Sequence, residues 1–146
     1  MKTHLHVLVP ASTTLSGIVD AMNALLAPHR LKDDDTSQPN WRFDYLCLFD
    51  ATLCCEETDA ELPAEMHDYR GYVSRVDRLR NDISNDVSVG AVVTPDGVWH
   101  DINDFGHRMM NPAELNEAAL KKWSRYYWKL LEDNPDCWVI ETWTHS

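Results

Sequence analysis

The stretch Val87 to Asp101, V-S-V-G-A-V-V-T-P-D-G-V-W-H-D, decides how the chain is read. Val87, Val89, Ala91 and Val93 form an apolar, mostly β-branched run around the small Gly90, the composition of a central strand covered on both faces. Thr94-Pro95-Asp96-Gly97 then puts proline second and glycine fourth, the signature of a type I turn. Trp99, His100 and Asp101 follow as a short return strand. A hairpin in the middle of a sheet is expected.

Outward from the hairpin, both flanks alternate strand and helix. Residues 3 to 9 place His4, His6 and Leu8 on one face of a strand and Leu5, Val7 and Val9 on the other, and Pro10 ends it. Ser12, Thr13 and Thr14 offer N-caps for an amphipathic helix carried by Leu15, Ile18, Val19, Met22, Leu25 and Leu26, which Pro28 stops. A solvated connection with Asp33-Asp34-Asp35 leads to a second strand, Trp41 to Phe49. On the other side, Asn111-Pro112-Ala113-Glu114 has a capping-box arrangement with Asn111 as N-cap, and the helix should run to about Asp133. Asn134-Pro135 breaks it, and Cys137 to Thr144 reads as the last strand.

Between Asp50 and Asp86 the composition changes. Acidic residues from Asp50 to Asp68 come without a balancing Lys or Arg, and Met66, Tyr69, Val73, Val76 and Ile83 recur at three- and four-residue steps, which predicts a helix from about Ala64 to Asn81. With 50–86 set aside as an acidic, partly helical insertion between strands 2 and 3, the order is β-α-β-β-α-β: an α+β domain, residues 1–146, with a ferredoxin-like antiparallel sheet. In the spatial order 4-1-3-2 the hairpin strand lies antiparallel to the first. His4, His6, His145 and the hairpin would then gather at one edge.

The chain has 146 residues and a formal net charge of −11, from 24 acidic and 13 basic residues. That balance disfavours direct binding of nucleic acid or an anionic membrane, both of which need a basic face. The N-terminus lacks the continuous apolar core of a signal peptide, and no apolar run approaches the roughly 20 residues of a membrane span. A soluble, cytoplasmic protein is expected. Its four cysteines include no C-x-x-C pair, which fits reduced thiols.

Candidate chemistry is sparse. His4 and His6, two residues apart on a strand, project from one face; with His145, or with Glu141 as a carboxylate, they are weak metal candidates of the kind that suits zinc or iron. The plainer reading puts these histidines on an open sheet face or in a dimer contact, and no cofactor and no catalytic residue is expected. Cys54 and Cys55 sit beside Glu56 and Glu57, which oppose a reactive thiolate. Gly-rich phosphate loops, H-E-x-x-H and G-x-S-x-G are missing from the sequence. On the last helix Trp128 is expected to be exposed among Lys121, Arg125 and Lys129, a possible contact for an anion. The acidic patch Glu56, Glu57, Asp59 and Glu61 suits a basic partner surface.

The opening T-H-L-H-V-L-V-P-A and the hairpin A-V-V-T-P-D-G-V-W-H-D, followed by a Trp-bearing helix and a terminal strand, resemble a group of small uncharacterised bacteriophage accessory proteins. That group carries a Gly- and Trp-rich loop after the hairpin and a D-C-H near its end; here the loop, Asp101 to Asn111, has only Gly106, and the end is E-T-W-T-H. The resemblance implies a phage or mobile-element accessory gene acting in an infected host cell. By analogy it implies a non-catalytic counter-defence protein, anti-CRISPR-like or anti-restriction, whose acidic surface occupies a host protein or protein–nucleic-acid complex. Two alternatives stand beside it: a binder or hydrolase of a small signalling nucleotide, using His4, His6, Trp99 and His100 or the cationic helix face, and a homodimeric scaffold.

Overall fold

Alternation over the opening residues becomes β1, Lys2–Pro10, in which Leu5, Val7, Leu8 and Val9 are all fully buried. The computed structural model describes residues 1–33, 35–47, 54–55, 72–79 and 86–146. Both faces of β1 are covered. Leu5, Val7 and Val9 pack with Ile18, Met22 and Leu26 of helix α1, Ile18–Leu26; Leu8 packs with Trp123, Tyr127, Leu130 and Leu131 of helix α2, Ala113–Glu132. The sheet is thus the middle layer between two helices, and each large apolar side chain removed from water stabilises the fold by about 1.5–3 kcal/mol.

The other described strands are β2, Tyr45–Cys47; β3, Cys54–Cys55; β4, Tyr72–Arg75; β5, Ala91–Val93; β6, Trp99–Asp101; and β7, Cys137–His145. They form one mixed sheet in the order β3-β4-β7-β1-β5-β6, with β2 also paired to β7. β7 runs antiparallel to β1 over the whole length of both, from Lys2↔His145 to Pro10↔Cys137. The α+β class holds, but the ferredoxin-like arrangement does not. β5 pairs with β1 in parallel, Leu5↔Ala91 to Val7↔Val93, where that arrangement requires an antiparallel neighbour. The hairpin ends the sheet instead of centring it, since β6 pairs only with β5 among the described strands.

Local corrections have local causes. Of the helix expected over Ala64 to Asn81, Tyr72–Arg75 is strand β4, paired to β7 through Val73↔Ile140, and a 3-10 turn follows at Val76–Arg78. Residues 64–71 and 80–81 lie outside the described residues. Val73 and Ser74 are both buried, and a strand covered on both faces gives no alternation to recognise. α2 starts one residue later than its capping box implies: Pro112 is the N-cap, and the Asn111 amide donates to the Gly106 carbonyl and the Asn116 side chain. The turn is as expected, with the Gly97 N–H on the Thr94 carbonyl at 2.8 Å and Gly97 at φ +82°, a conformation that favours glycine. Gly90 is needed for a different reason: a Cβ there would lie 3.1 Å from Thr3 Cγ2, where the lead-in to β5 meets β1.

Candidate metal centre

The β1–β7 register builds the site. His6 lies directly opposite Glu141, and His4 directly opposite Trp143. Cross-strand partners on one face have Cβ atoms about 4.5–5.5 Å apart, so two imidazoles and a carboxylate are brought together by backbone pairing alone. One donor atom each from His4, His6 and Glu141 lies within 4.8 Å of the other two. The rings of His4 and His6 meet edge to face at 5.2 Å.

Each side chain is fixed differently. His6 is buried, and its Nδ1 is 2.9 Å from the Tyr127 hydroxyl of α2, which leaves Nε2 as the nitrogen not engaged by Tyr127. Burial, reinforced by the neighbouring His4, pushes the His6 pKa from 6.5 down to about 3, so the ring is neutral and carries a free lone pair at ordinary pH. Burial also pushes the Tyr127 phenol well above its ordinary value, so it stays protonated. His4 stacks on Trp143 with centroids 4.8 Å apart and ring planes 9° from parallel. Glu141 is the more exposed member, its side chain 34% exposed against 12% for His4.

The His4–Glu141 contact is close. His4 Nε2 is buried and stands 2.8 Å from Glu141 Oε1. The contact with His4 holds the Glu141 carboxyl below the usual carboxylate range, against the partial burial that raises it. Two imidazoles and one carboxylate are a donor set for zinc or non-haem iron with positions left open. Donor atoms on a tetrahedral zinc sit roughly 3.3 Å apart; His4 and Glu141 already stand at 2.8 Å, so the adjustment on binding an ion would fall on the distances to His6. The His6–Tyr127 bond orients the ring, and with Nδ1 donating to the hydroxyl it would leave the Nε2 lone pair for a metal.

The remaining sequence candidates are dispersed. His145 lies four positions further along β7 than Glu141, opposite Lys2, where its Nδ1 meets both Asp44 carboxylate oxygens at 2.9 and 3.0 Å and its ring stacks on Tyr45. It therefore takes no part in the cluster. His100 is a support: its Nδ1 is 3.1 Å from the Tyr126 hydroxyl and its Nε2 3.2 Å from Thr94 Oγ1. Trp99 donates to Asp101 Oδ2 at 3.1 Å and packs near Phe43 and His29. Lys121, Arg125 and Lys129 are exposed, but Trp128 is half-buried against Tyr127, with its indole N–H inside and without an acceptor. An exposed tryptophan among cations is thus not formed, because the second core draws in the ring. Glu56, Glu57, Asp59 and Glu61 lie outside the described residues, as do the side chains of Cys54 and Cys55.

Sequence reasoning did not find Tyr127, the support of His6, nor Trp143, the platform of His4. The recurrence of Glu141, Trp143 and His145 at period two on the last strand was the signal available for Trp143. No family model, curated protein or solved structure matches this chain.

Proposed function

We propose that this protein is a mononuclear divalent-metal protein, zinc being the first candidate, whose His4–His6–Glu141 centre acts as a Lewis acid on a ligand entering from its open side. The observation that carries the reading is the gathering of one donor atom each from His4, His6 and Glu141 within 4.8 Å of one another, with His6 buried. A bound divalent ion would polarise a coordinated oxygen or lower the pKa of a coordinated water. The chain's own part is to hold His6 neutral through burial, to seat its ring against Tyr127, to orient His4 on Trp143, and to supply the Glu141 carboxylate. Metal content after zinc loading and desalting tests it. One zinc per chain is expected, falling to a small fraction in His6→Ala and Glu141→Gln. Stoichiometry unchanged in both variants would remove the assignment.

Charge favours a second reading. An excess of acidic over basic residues that leaves a net −11 is the complement of a basic protein surface, and we propose accordingly a counter-defence binder that engages a host complex through Glu56, Glu57, Asp59 and Glu61. Association with such a target should weaken steeply with added salt and when these four are neutralised together. Salt-independent capture would rule that out.

A further inference from the structure

Asp96-Gly97 is the one place in the sequence where Asp or Asn precedes Gly. The pair carries a chemistry of its own, because glycine has no Cβ to shield its backbone nitrogen from the carboxyl before it. In that reaction the Gly97 nitrogen bonds Asp96 Cγ, and the hydroxyl of the protonated carboxyl leaves with the amide proton as water, closing a five-membered succinimide. Water then opens the ring. Cleavage of the bond from nitrogen to Cγ restores aspartate. Cleavage of the bond from nitrogen to the Asp96 backbone carbonyl carbon leaves isoaspartate, with the chain running through the side chain at unchanged mass. Asp96 is exposed, and with Thr94, His100 and Asn134 it lines a cleft of about 390 Å³, so water reaches the turn.

In the folded chain Thr94 holds both reacting groups. Its hydroxyl donates to Asp96 Oδ1, and its carbonyl accepts from the Gly97 N–H at 2.8 Å. Thr94 is itself buried and anchored: Oγ1 is 3.2 Å from His100 Nε2, and His100 Nδ1 is 3.1 Å from the Tyr126 hydroxyl of α2. The Thr94 bond also holds the Asp96 carboxyl below the usual carboxylate range, which makes the protonated, reactive form scarcer. We propose that Asp96–Gly97 is a site of spontaneous isoaspartate formation, gated by the Thr94 hydroxyl and, through His100, by the docking of the hairpin on α2. The modification adds one methylene to the backbone inside the turn. Because the Thr94 N–H reaches the Val98 carbonyl at 3.1 Å across that turn, isoaspartate here parts the pair that closes the hairpin.

The test ages the full chain near neutral pH, beside the same chain unfolded in concentrated urea, and quantifies isoaspartate at Asp96 by peptide mapping with fragmentation that separates it from aspartate. The folded chain is expected to react roughly tenfold more slowly than the unfolded one, because only a locally opened turn reacts. Thr94→Val, aged at a temperature where circular dichroism shows it folded, should react about tenfold faster than the unsubstituted chain, the factor that a hydrogen bond to a carboxylate is worth. Thr94→Ser, which keeps the hydroxyl, should stay near the unsubstituted rate. Tyr126→Phe leaves the turn untouched, should accelerate the reaction about threefold, and carries the test where Thr94→Val does not fold. A folded chain that ages as fast as the unfolded one overturns the proposal. So does a folded Thr94→Val, or in its place Tyr126→Phe, that ages at the unsubstituted rate, and so does Thr94→Ser ageing as fast as folded Thr94→Val.

Discussion

At the scale of single residues, burying a titratable group has a cost, and His6 shows it. It is buried and neutral, bonded to Tyr127, with its pKa depressed by burial to about 3 from an unfolded value near 6.5. The unfolded chain therefore binds a proton that the fold refuses between those two values. Stability contributed by His6 is complete above pH 6.5 and is lost as pH falls from 6.5 toward 3, at up to about 1.4 kcal/mol per pH unit. His100, whose pKa burial also lowers against the pull of Asp96, Asp104 and Asp101, adds in the same direction. Urea unfolding of metal-free protein at pH 7.0, 6.0 and 5.0 should show this decline, and His6→Gln should flatten it. An equal slope in the variant would place the titration elsewhere. Trp123 gives a second test: its indole N–H donates to the Val89 carbonyl at 2.6 Å in a fully buried setting. Trp123→Phe keeps an aromatic ring but strands that carbonyl, and is expected to cost about 2–3 kcal/mol in the same unfolding assay.

At the scale of elements, the hairpin is held by side chains more than by ladder length, since β5 and β6 have three residues each. Thr94 Oγ1 bonds the Asp96 carboxylate and holds it below the usual range, His100 ties Thr94 to Tyr126 of α2, and His29 Nε2 donates to the Gly97 carbonyl at 2.8 Å. Gly97→Ala forces a Cβ into a positive-φ conformation and should destabilise by roughly 1 kcal/mol. Thermal melts that show no change would mean the turn relaxes to another type. The long elements were legible because they repeat a period over many residues: β1, α2 and β7 are close to where alternation and helical spacing put them. The direction of β5 was not, because an apolar run such as Val89 to Val93 reports coverage on both faces and says nothing about its neighbour's orientation. The same loss of period hid β4 behind a helical pattern that was only coincidental in Val73 and Val76.

At the scale of the whole molecule, the β1–β7 pair is the spine. It joins the two termini of the chain over nine register positions, has α1 on one face and α2 on the other, and carries both core clusters. Non-local pairing of this kind is the last structure to open. Hydrogen exchange should find the slowest amides in Leu5–Val9 and Val139–Ile140 and faster exchange in β6. Uniform protection across the hairpin and the spine would contradict this hierarchy. The candidate site was half legible for the same reason. His4 and His6 share a face by sequence spacing alone, but choosing Glu141 over His145 required the register, which places His6 opposite Glu141 and His145 four positions further along, opposite Lys2. Among the described residues, no helix is long and apolar enough to cross a membrane.

The central claim is that the spine's histidine pair and Glu141 hold one divalent ion. X-ray absorption at the zinc edge of the loaded full chain tests this most directly. The account expects a shell of nitrogen and oxygen only, with the outer scattering of two imidazoles. A shell containing sulfur, or a single imidazole, would place the metal on the cysteines or elsewhere and contradict it.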